Sequence, residues 1–429
     1  MTSRFLYSFF FLLALCSIPC LAQTPTSLTL ADAEKIAIQN HPQIQAAQYT
    51  ASAAKAQVTQ ARSAYYPQAF GSLTGVKSET DSRVAAGSLS NSIIYDRYSN
   101  GITVGQLVTD FGRTHEFVKS ASLHAQAQEE NVVTSRADVL LAVDQAYYAV
   151  LKAQAVLKVA QETVKDRQLV SDQITELEKN KLKSGLDVSF ANVDLAQAQL
   201  LLIQAQNNLQ ASYADLSVAL GYSDQKDFIL SDESVPAAPP ADITQLTSQA
   251  LQNRPELIGG RLGVSSAQSY ATAERDLWFP TISAVGVAGL TPVREEPLGS
   301  RYAAAGFNVN IPIFNGRQFN ALHAEATAEA HAQEQYLRDL QNRVTRDVRR
   351  AWLDANSAFQ RLSVTQQLLN QATQALDLAQ QRYKLGLSSI IELSQAQLNM
   401  TQAEITQTSA KYDYAAAISA LRFQIGDIH

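Results

Sequence analysis

The sequence has only two cysteines, Cys16 and Cys20, and both fall within its first 22 residues. With that segment removed, no thiol remains for a disulfide, a nucleophile or a metal site. Charge is also scarce. Asp, Glu, Lys and Arg make up 17% of the residues and the net charge is −6, so no basic face for phosphates is expected and nucleic acid is argued against. The histidines (41, 115, 124, 323, 331 and 429) are scattered, without HExxH or another tight metal spacing. There is no P-loop, no GxSxG and no Gly-rich dinucleotide turn, so neither catalysis nor a cofactor is expected. Acids such as Asp144, Asp166 and Asp172 sit among helical residues and read as solvated. Beyond residue 22 no apolar run reaches the length of a transmembrane helix. A membrane β-barrel stays open, because its strands need only alternate.

The first 22 residues carry Arg4, the apolar run FLYSFFFLLALCSIP and then CLA before Gln23. That order reads as a secretory signal peptide cleaved near Ala22. An uncleaved anchor is the alternative, but the run is short for a span. Lipidation of a cysteine is another, but Cys16 follows Leu15 and Cys20 follows Pro19, where a small residue is wanted.

The remainder is duplicated. Residues 39–44 read QNHPQI and residues 252–257 read QNRPEL; YYP at 65–67 returns as WFP at 278–280, at the same offset of 213. Farther on, DFGR (110–113) matches FNGR (314–317), KSGL (183–186) matches KLGL (384–387), and LG (220–221) matches IG (425–426), at offsets of 201 to 205. The anchors keep their order, and a unit of this size is too long for a solenoid repeat. The expected division is a first unit over 23–234, a proline-rich linker over 235–243 and a second unit over 244–429.

Each unit changes texture twice. Residues 31–65 and 243–277 are Ala- and Gln-rich with apolar residues at helical spacing. Strands follow at 68–77, 100–109, 281–290 and 305–314, with a polar loop at 78–92. Long helices are expected over 115–182 and 317–384, each followed by a Gly turn and a further helix, to Leu220 and over 388–424. At 1.5 Å per residue the long helices reach roughly 100 Å, too long for one globular core. Two shorter helices stacked end to end match each of them, giving four helical columns per chain. Pro42 and Pro255 read as kinks or entry turns, with His41 and Arg254 incidental because the residue is not kept.

The strands have the length that spans a bilayer, and 305–314 alternates Phe307, Val309, Ile311 and Ile313 with polar or small residues. Four strands cannot close, and an open edge in lipid leaves backbone groups unpaired. The barrel must therefore be shared, by two chains with eight strands or three with twelve. Tyr65, Tyr66, Phe111, Trp278, Phe279 and Phe314 fall where helix meets strand, the level of an interfacial girdle or of plain junction padding. A secreted coiled-coil interaction protein, adaptor-like, is the rival reading. It explains the helices but not the aromatic-bounded strands.

The doubled and ordered set of NHP/NRP, YYP/WFP, two GR helix starts and two Gly-Leu turns resembles the TolC-like outer-membrane efflux proteins over essentially the whole mature chain. The resemblance implies a mixed α and β membrane protein, a homotrimer whose twelve-strand transmembrane β-barrel continues into a twelve-helix periplasmic α-barrel. It implies an outer-membrane location in contact with lipid. It also implies two partners, a periplasmic adaptor and an inner-membrane pump or ABC transporter, and passive export in efflux or type I secretion.

The same resemblance places the periplasmic tip at KLKSGLD (181–187) and YKLGLSS (383–389). Gly185 and Gly386 are expected in left-handed helix caps, with Lys183 and Lys384 near the negative helix ends. Leu186 and Leu387 are either the apolar contact of a Schellman cap or exposed knobs that dock the adaptor. Glu392 and Gln395 occupy the family's two acidic ring positions at the tunnel constriction, though Ser389 and Glu392 also fit a capping box. Tyr383 occupies the position of a gate tyrosine. Ser388 stands where the family's arginine would be, and Ala191 where its aspartate would be.

Overall fold

The computed structural model describes residues 27–79, 83–86, 89–93, 95–232, 234–295 and 298–428. The expected signal segment and both cysteines lie outside the described residues.

Each half runs in the same order. The first has α1 (Leu30–Asn40), α2 (Pro42–Arg62), β1 (Gln68–Val76), a short hairpin of β2 (Arg83–Ala86) and β3 (Leu89–Ile93), β4 (Arg97–Thr109), α3 (Arg113–Lys179) and α4 (Gly185–Ala219). The second has α5 (Ile243–Asn253), α6 (Pro255–Arg275), β5 (Thr281–Arg294), β6 (Arg301–Asn310), α7 (Gln318–Lys384) and α8 (Ile390–Gln424). Paired helices have equal lengths of 11, 21, 67 and 35 residues. The halves are offset by 213 residues as far as the start of β1 and β5, and by 205 from α3 and α7 onward. The change is one step in the strand region, not a drift. The polar loop expected at 78–92 contains the β2–β3 hairpin, and the strand expected to run to Phe314 ends at Asn310.

Residues 31–65 and 243–277 are not single helices. Each breaks in two before its proline, which takes the first position of α2 or α6, where its missing N–H costs nothing. The preceding residue, expected to be incidental, is used in both halves. His41 caps α2, its Nδ1 accepting the Gln43 N–H at 3.2 Å. Arg254 is buried, donates to Gln424 Oε1 at 2.7 Å and pairs with Glu256 at 2.5 Å.

The two prolines also explain the distant LG and IG pairs. Gly221 and Gly426 end α4 and α8 with φ of +82° and +74°, and each abuts the helix break of its own half. A Cβ on Gly221 would lie 2.9 Å from the Asn40 carbonyl carbon, and one on Gly426 would lie 3.4 Å from the Arg254 nitrogen. Break and cap are one joint, built twice.

Helices α2 and α4 both pack along α3, as α6 and α8 pack along α7, while α6 and α8 join the halves by packing on α3. The columns therefore read α2–α3–α6–α7 at the sheet end and α4–α3–α8–α7 at the far end. Their seams repeat every seven residues and are nearly all alanine: Ala191, Ala198 and Ala205 on α4, Ala351, Ala358, Thr365, Ala372 and Ala379 on α7, and Ala396, Ala403 and Ala410 on α8, all buried. A seven-residue period imposes a left-handed supercoil, and alanine lets the backbones approach. Larger side chains fill the middle, with Tyr147, Leu216 and Val143 in one half and Leu257, Val344 and Val348 in the other.

The linker, the residues just before it and the segment at Leu28 are strapped to this middle level. Tyr147 donates to the carbonyls of Leu28 and Ser231 at 3.0 and 2.7 Å, and Trp352 Nε1 donates to Pro240 O at 2.7 Å. Tyr414 donates to Ala237 O, and Lys411 pairs with Asp232 at 2.6 Å.

The main sheet has the order β1-β4-β5-β6, all antiparallel. Registers place Leu73, Ile102, Val104, Leu290, Phe307 and Val309 on one face. Ser72, Thr74, Thr103, Ser283 and Asn308 lie on the other. The first face carries most of the large apolar side chains, with Asn100 among them, and the second is mostly polar or small apart from Phe70, Val285 and Val287. Strands β1 and β6 are open edges.

Candidate functional site

At the end away from the sheet, four helices converge on one apolar cluster. Ile174 comes from α3, Ala191 from α4, Ala379 and Tyr383 from α7, and Ile390, Leu393 and Ala396 from α8. Two turns close this end, and both are Schellman caps. In the second, Gly386 (φ +71°) sends its N–H to Tyr383 O at 3.1 Å, and Leu387 sends its N–H to Arg382 O at 2.8 Å. In the first, the corresponding residues are Lys181 (φ +61°), bonding Glu178 O at 2.7 Å, and Leu182, bonding Leu177 O at 2.9 Å.

This corrects the expected alignment of the tip by four residues. Gly185 is not a left-handed cap. It is the first residue of α4, after the N-cap Ser184. The counterpart of Leu387 is Leu182, not Leu186, although Leu182, Leu186 and Leu387 are all about two-thirds exposed at 69%, 64% and 66%. Lys384 does end α7, but its counterpart at the end of α3 is Lys179. Lys183 lies past its helix end, with Nζ 3.7 Å from the centre of the Tyr383 ring.

The corrected register pairs Asp187 with Glu392, each three residues after an N-cap serine. Ser184 and Asp187 form a complete capping box, with the serine Oγ 2.7 Å and the serine N–H 2.9 Å from Asp187 Oδ2. The hydrogen bond from Ser184 holds the Asp187 carboxyl below its ordinary range. Ser389 Oγ accepts the Glu392 N–H at 3.4 Å, and the Glu392 carboxylate turns to Arg382 Nε at 3.2 Å. Gln395 is exposed and donates to Asn399 at 3.0 Å.

Tyr383 is buried. Burial, and secondly the negative charge of Asp187, push its phenol up to about 12. Asp187, rather than Ala191, is therefore the acid that faces the tyrosine; Ala191 belongs to the apolar cluster. The Tyr383 hydroxyl and the Ser388 hydroxyl are both buried without a hydrogen-bond partner. Sequence reasoning missed Leu182 and Arg382, and it noted Asp187 only as an acid near the Ala191 position. The signal was present in the Ser-x-x-acid pattern at 184–187 and 389–392, which repeats at the offset of the long helices.

At the opposite end, all six expected aromatics lie at helix–strand junctions. Tyr65 and Trp278 close single 3₁₀ turns before β1 and β5, and Tyr66 and Phe279 follow them. Phe111 and Phe314 follow β4 and β6, and all six side chains are exposed. Phe111 and Phe279 meet with ring centroids 6.2 Å apart.

A family model described as outer membrane efflux protein matches residues 35–222 and 246–427. The chain is 24% identical over 371 residues to the outer membrane efflux protein BepC of Brucella suis, covering 84% of this chain and 77% of that protein. It is 23% identical over 410 residues to the alkaline protease secretion protein AprF of Pseudomonas aeruginosa, covering 93% and 85%. Among solved structures, CusC superposes with a TM-score of 0.80 at 19% identity, over 94% of this chain and 93% of that one. The outer membrane protein VceC of Vibrio cholerae gives 0.79 at 16% identity, over 92% and 96%. At these identities the structural likeness speaks for the fold.

Proposed function

The chain belongs to the outer membrane efflux protein family, and from that premise we propose that three copies form an exit duct through the outer membrane and into the periplasm. The observation that carries this reading is the four-strand sheet with two open edges. Its strands are 9 to 14 residues long, enough to cross a bilayer, and one face carries most of the large apolar side chains. Open edges cannot remain in lipid, so β6 of one copy must pair with β1 of the next. Eight strands leave an interior filled by side chains, whereas twelve leave a lumen. A duct therefore takes three chains.

The helical wall asks for the same closure. Its free margins, α4 and α7, expose Val193, Leu200 and Ile203 on one side and Leu353, Val364 and Leu368 on the other. In the closed ring these margins meet. The six junction aromatics then form the girdle at the inner edge of the lipid. Leu182 and Leu387 at the tip dock a periplasmic adaptor, which brings an inner-membrane pump or ABC transporter. Glu392 from three copies rings the narrowed mouth, where carboxylates attract cations. Processing near Ala22 belongs to the same reading.

Planar-bilayer recording tests the duct. Purified protein should add current in uniform steps with a preference for cations, and Glu392→Gln should weaken that preference. A preparation that inserts and carries no current would contradict the reading.

A further inference from the structure

Tyr302 does not stand up from the sheet. It is the second residue of β6, at the end of the sheet away from the helices. The registers place Tyr302, Gly289 of β5, Gly101 of β4 and Ser72 of β1 in one row, on the face that also carries Thr103 and Asn308. The tyrosine ring lies along that row. A Cβ on Gly289 would overlap its ring carbon Cζ and its hydroxyl, and a Cβ on Gly101 would overlap the hydroxyl. The side chain has therefore crossed the whole of β5, and its hydroxyl donates to Asn100 O of β4 at 3.2 Å.

Glycine inside a strand weakens it, and often marks a place where something approaches closely. Gly71, Gly75, Gly105, Gly286 and Gly306 show the contrast: a Cβ on any of them would meet nothing within 4 Å among the described residues. Gly101 and Gly289 are the pair beneath the tyrosine. Backbone is close there as well, with Ala288 O 2.9 Å from a Cβ on Gly101 and Asn100 O nearer still to one on Gly289. Immediately beyond, the β4–β5 register slips between Tyr98 and Asn100, an irregularity of the kind that bends a strand. A phenol that reaches this point from β6 ties three strands together.

We propose that three copies of Tyr302 set the aperture of the outer exit, and that Gly101 and Gly289 keep it open by giving each ring a bed to lie on. The proposal rests on the duct reading, in which the face richer in large apolar side chains meets lipid and the row of Tyr302 faces the lumen. Lying flat, the ring leaves the bore to glycine and short side chains. Lifted off its bed, it projects inward from every copy at the same level, and the exit narrows. Tyr302 is also a surface that cargo touches on leaving, an aromatic face whose hydroxyl proton is already committed to Asn100.

The test labels a lumen position from outside intact cells. The native cysteines lie only at positions 16 and 20. Asn308→Cys, on the same face and nearer the helices, supplies a thiol. A bulky, membrane-impermeant maleimide should label it in otherwise wild-type protein. Adding Gly101→Ala, whose methyl takes the place of the hydroxyl, should slow labelling severalfold. Adding Tyr302→Ala as well should restore the rate, although the methyl still meets the Ala288 carbonyl. Tyr302→Trp, which keeps both glycines but overruns the bed, should also slow labelling. Heat-stable oligomer at the wild-type level separates a narrowed exit from a misassembled barrel. Labelling that Gly101→Ala leaves unchanged, or slows equally with and without Tyr302, would overturn the aperture. So would a Tyr302→Trp channel labelled at the parent rate, even where Gly101→Ala fails to assemble. A cysteine at 308 that stays unlabelled in the Tyr302→Ala background counts against the lumen, and so against the duct itself.

Discussion

Residues at the tip decide between two registers. The Schellman geometry makes Leu182 and Leu387 the matched pair that projects from the two turns, while Leu186 lies inside the first turn of α4. Leu182→Asp combined with Leu387→Asp should abolish export, with oligomer and membrane insertion retained. Leu186→Asp combined with Leu387→Asp should act no more strongly than Leu387→Asp alone. A cell-based export assay with a heat-stability gel as control separates the outcomes. Gly-Leu was legible as a tip signal because glycine usually takes the left-handed cap. It misled in the first half because Lys181 adopts that conformation instead, and a local motif cannot report a non-glycine residue at positive φ. Asp144 also escaped the sequence. Among helical residues it reads as solvated, yet it is 4% exposed and faces Glu34 of α1 and Ser419 and Arg422 of α8.

At the scale of elements, the joints between helices carry the testable energetics. Gly221 and Gly426 share a left-handed backbone, but only Gly221 has backbone atoms within 3.0 Å of where a Cβ would sit. Gly426→Ala should cost about 1 kcal/mol, the conformational term alone, and Gly221→Ala clearly more. Thermal unfolding followed by circular dichroism should rank them in that order. Equal losses would mean that the helix breaks do not bear on the caps.

The joint of α1, α3 and α8 should also respond to pH. Burial, reinforced by the Glu34 carboxyl and opposed by Ser419 and Arg422, pushes Asp144 up to about 7. A carboxyl raised above its unfolded value binds a proton in the folded state first. Its contribution is therefore complete below about pH 4 and is lost as pH rises towards 7. Asp144→Asn, which keeps a neutral side chain at every pH, should flatten the fall in melting temperature between pH 5 and pH 8. An unchanged slope would place the titration elsewhere. Neither joint was legible beforehand. The doubled NHP/NRP and LG/IG phrases were visible, but nothing in one dimension says that they touch.

For the whole molecule, the sequence reading reached the architecture because duplication, strand length and the 67-residue helices are long-range patterns that survive local error. Four columns, four membrane-length strands and aromatics at each junction all follow from periodicity and length. It erred where pairing adds something periodicity cannot show, as in the β2–β3 hairpin, whereas the entry turns read at Pro42 and Pro255 are where α2 and α6 begin. Stability in this account is inseparable from assembly, since β1, β6, α4 and α7 are all incomplete in one copy. The most direct test of that claim is the mass of the unheated complex extracted from the outer membrane in mild detergent. The account predicts three chains, falling to one on heating. A stable single chain, or a pair, would contradict the shared twelve-strand barrel and the duct built on it.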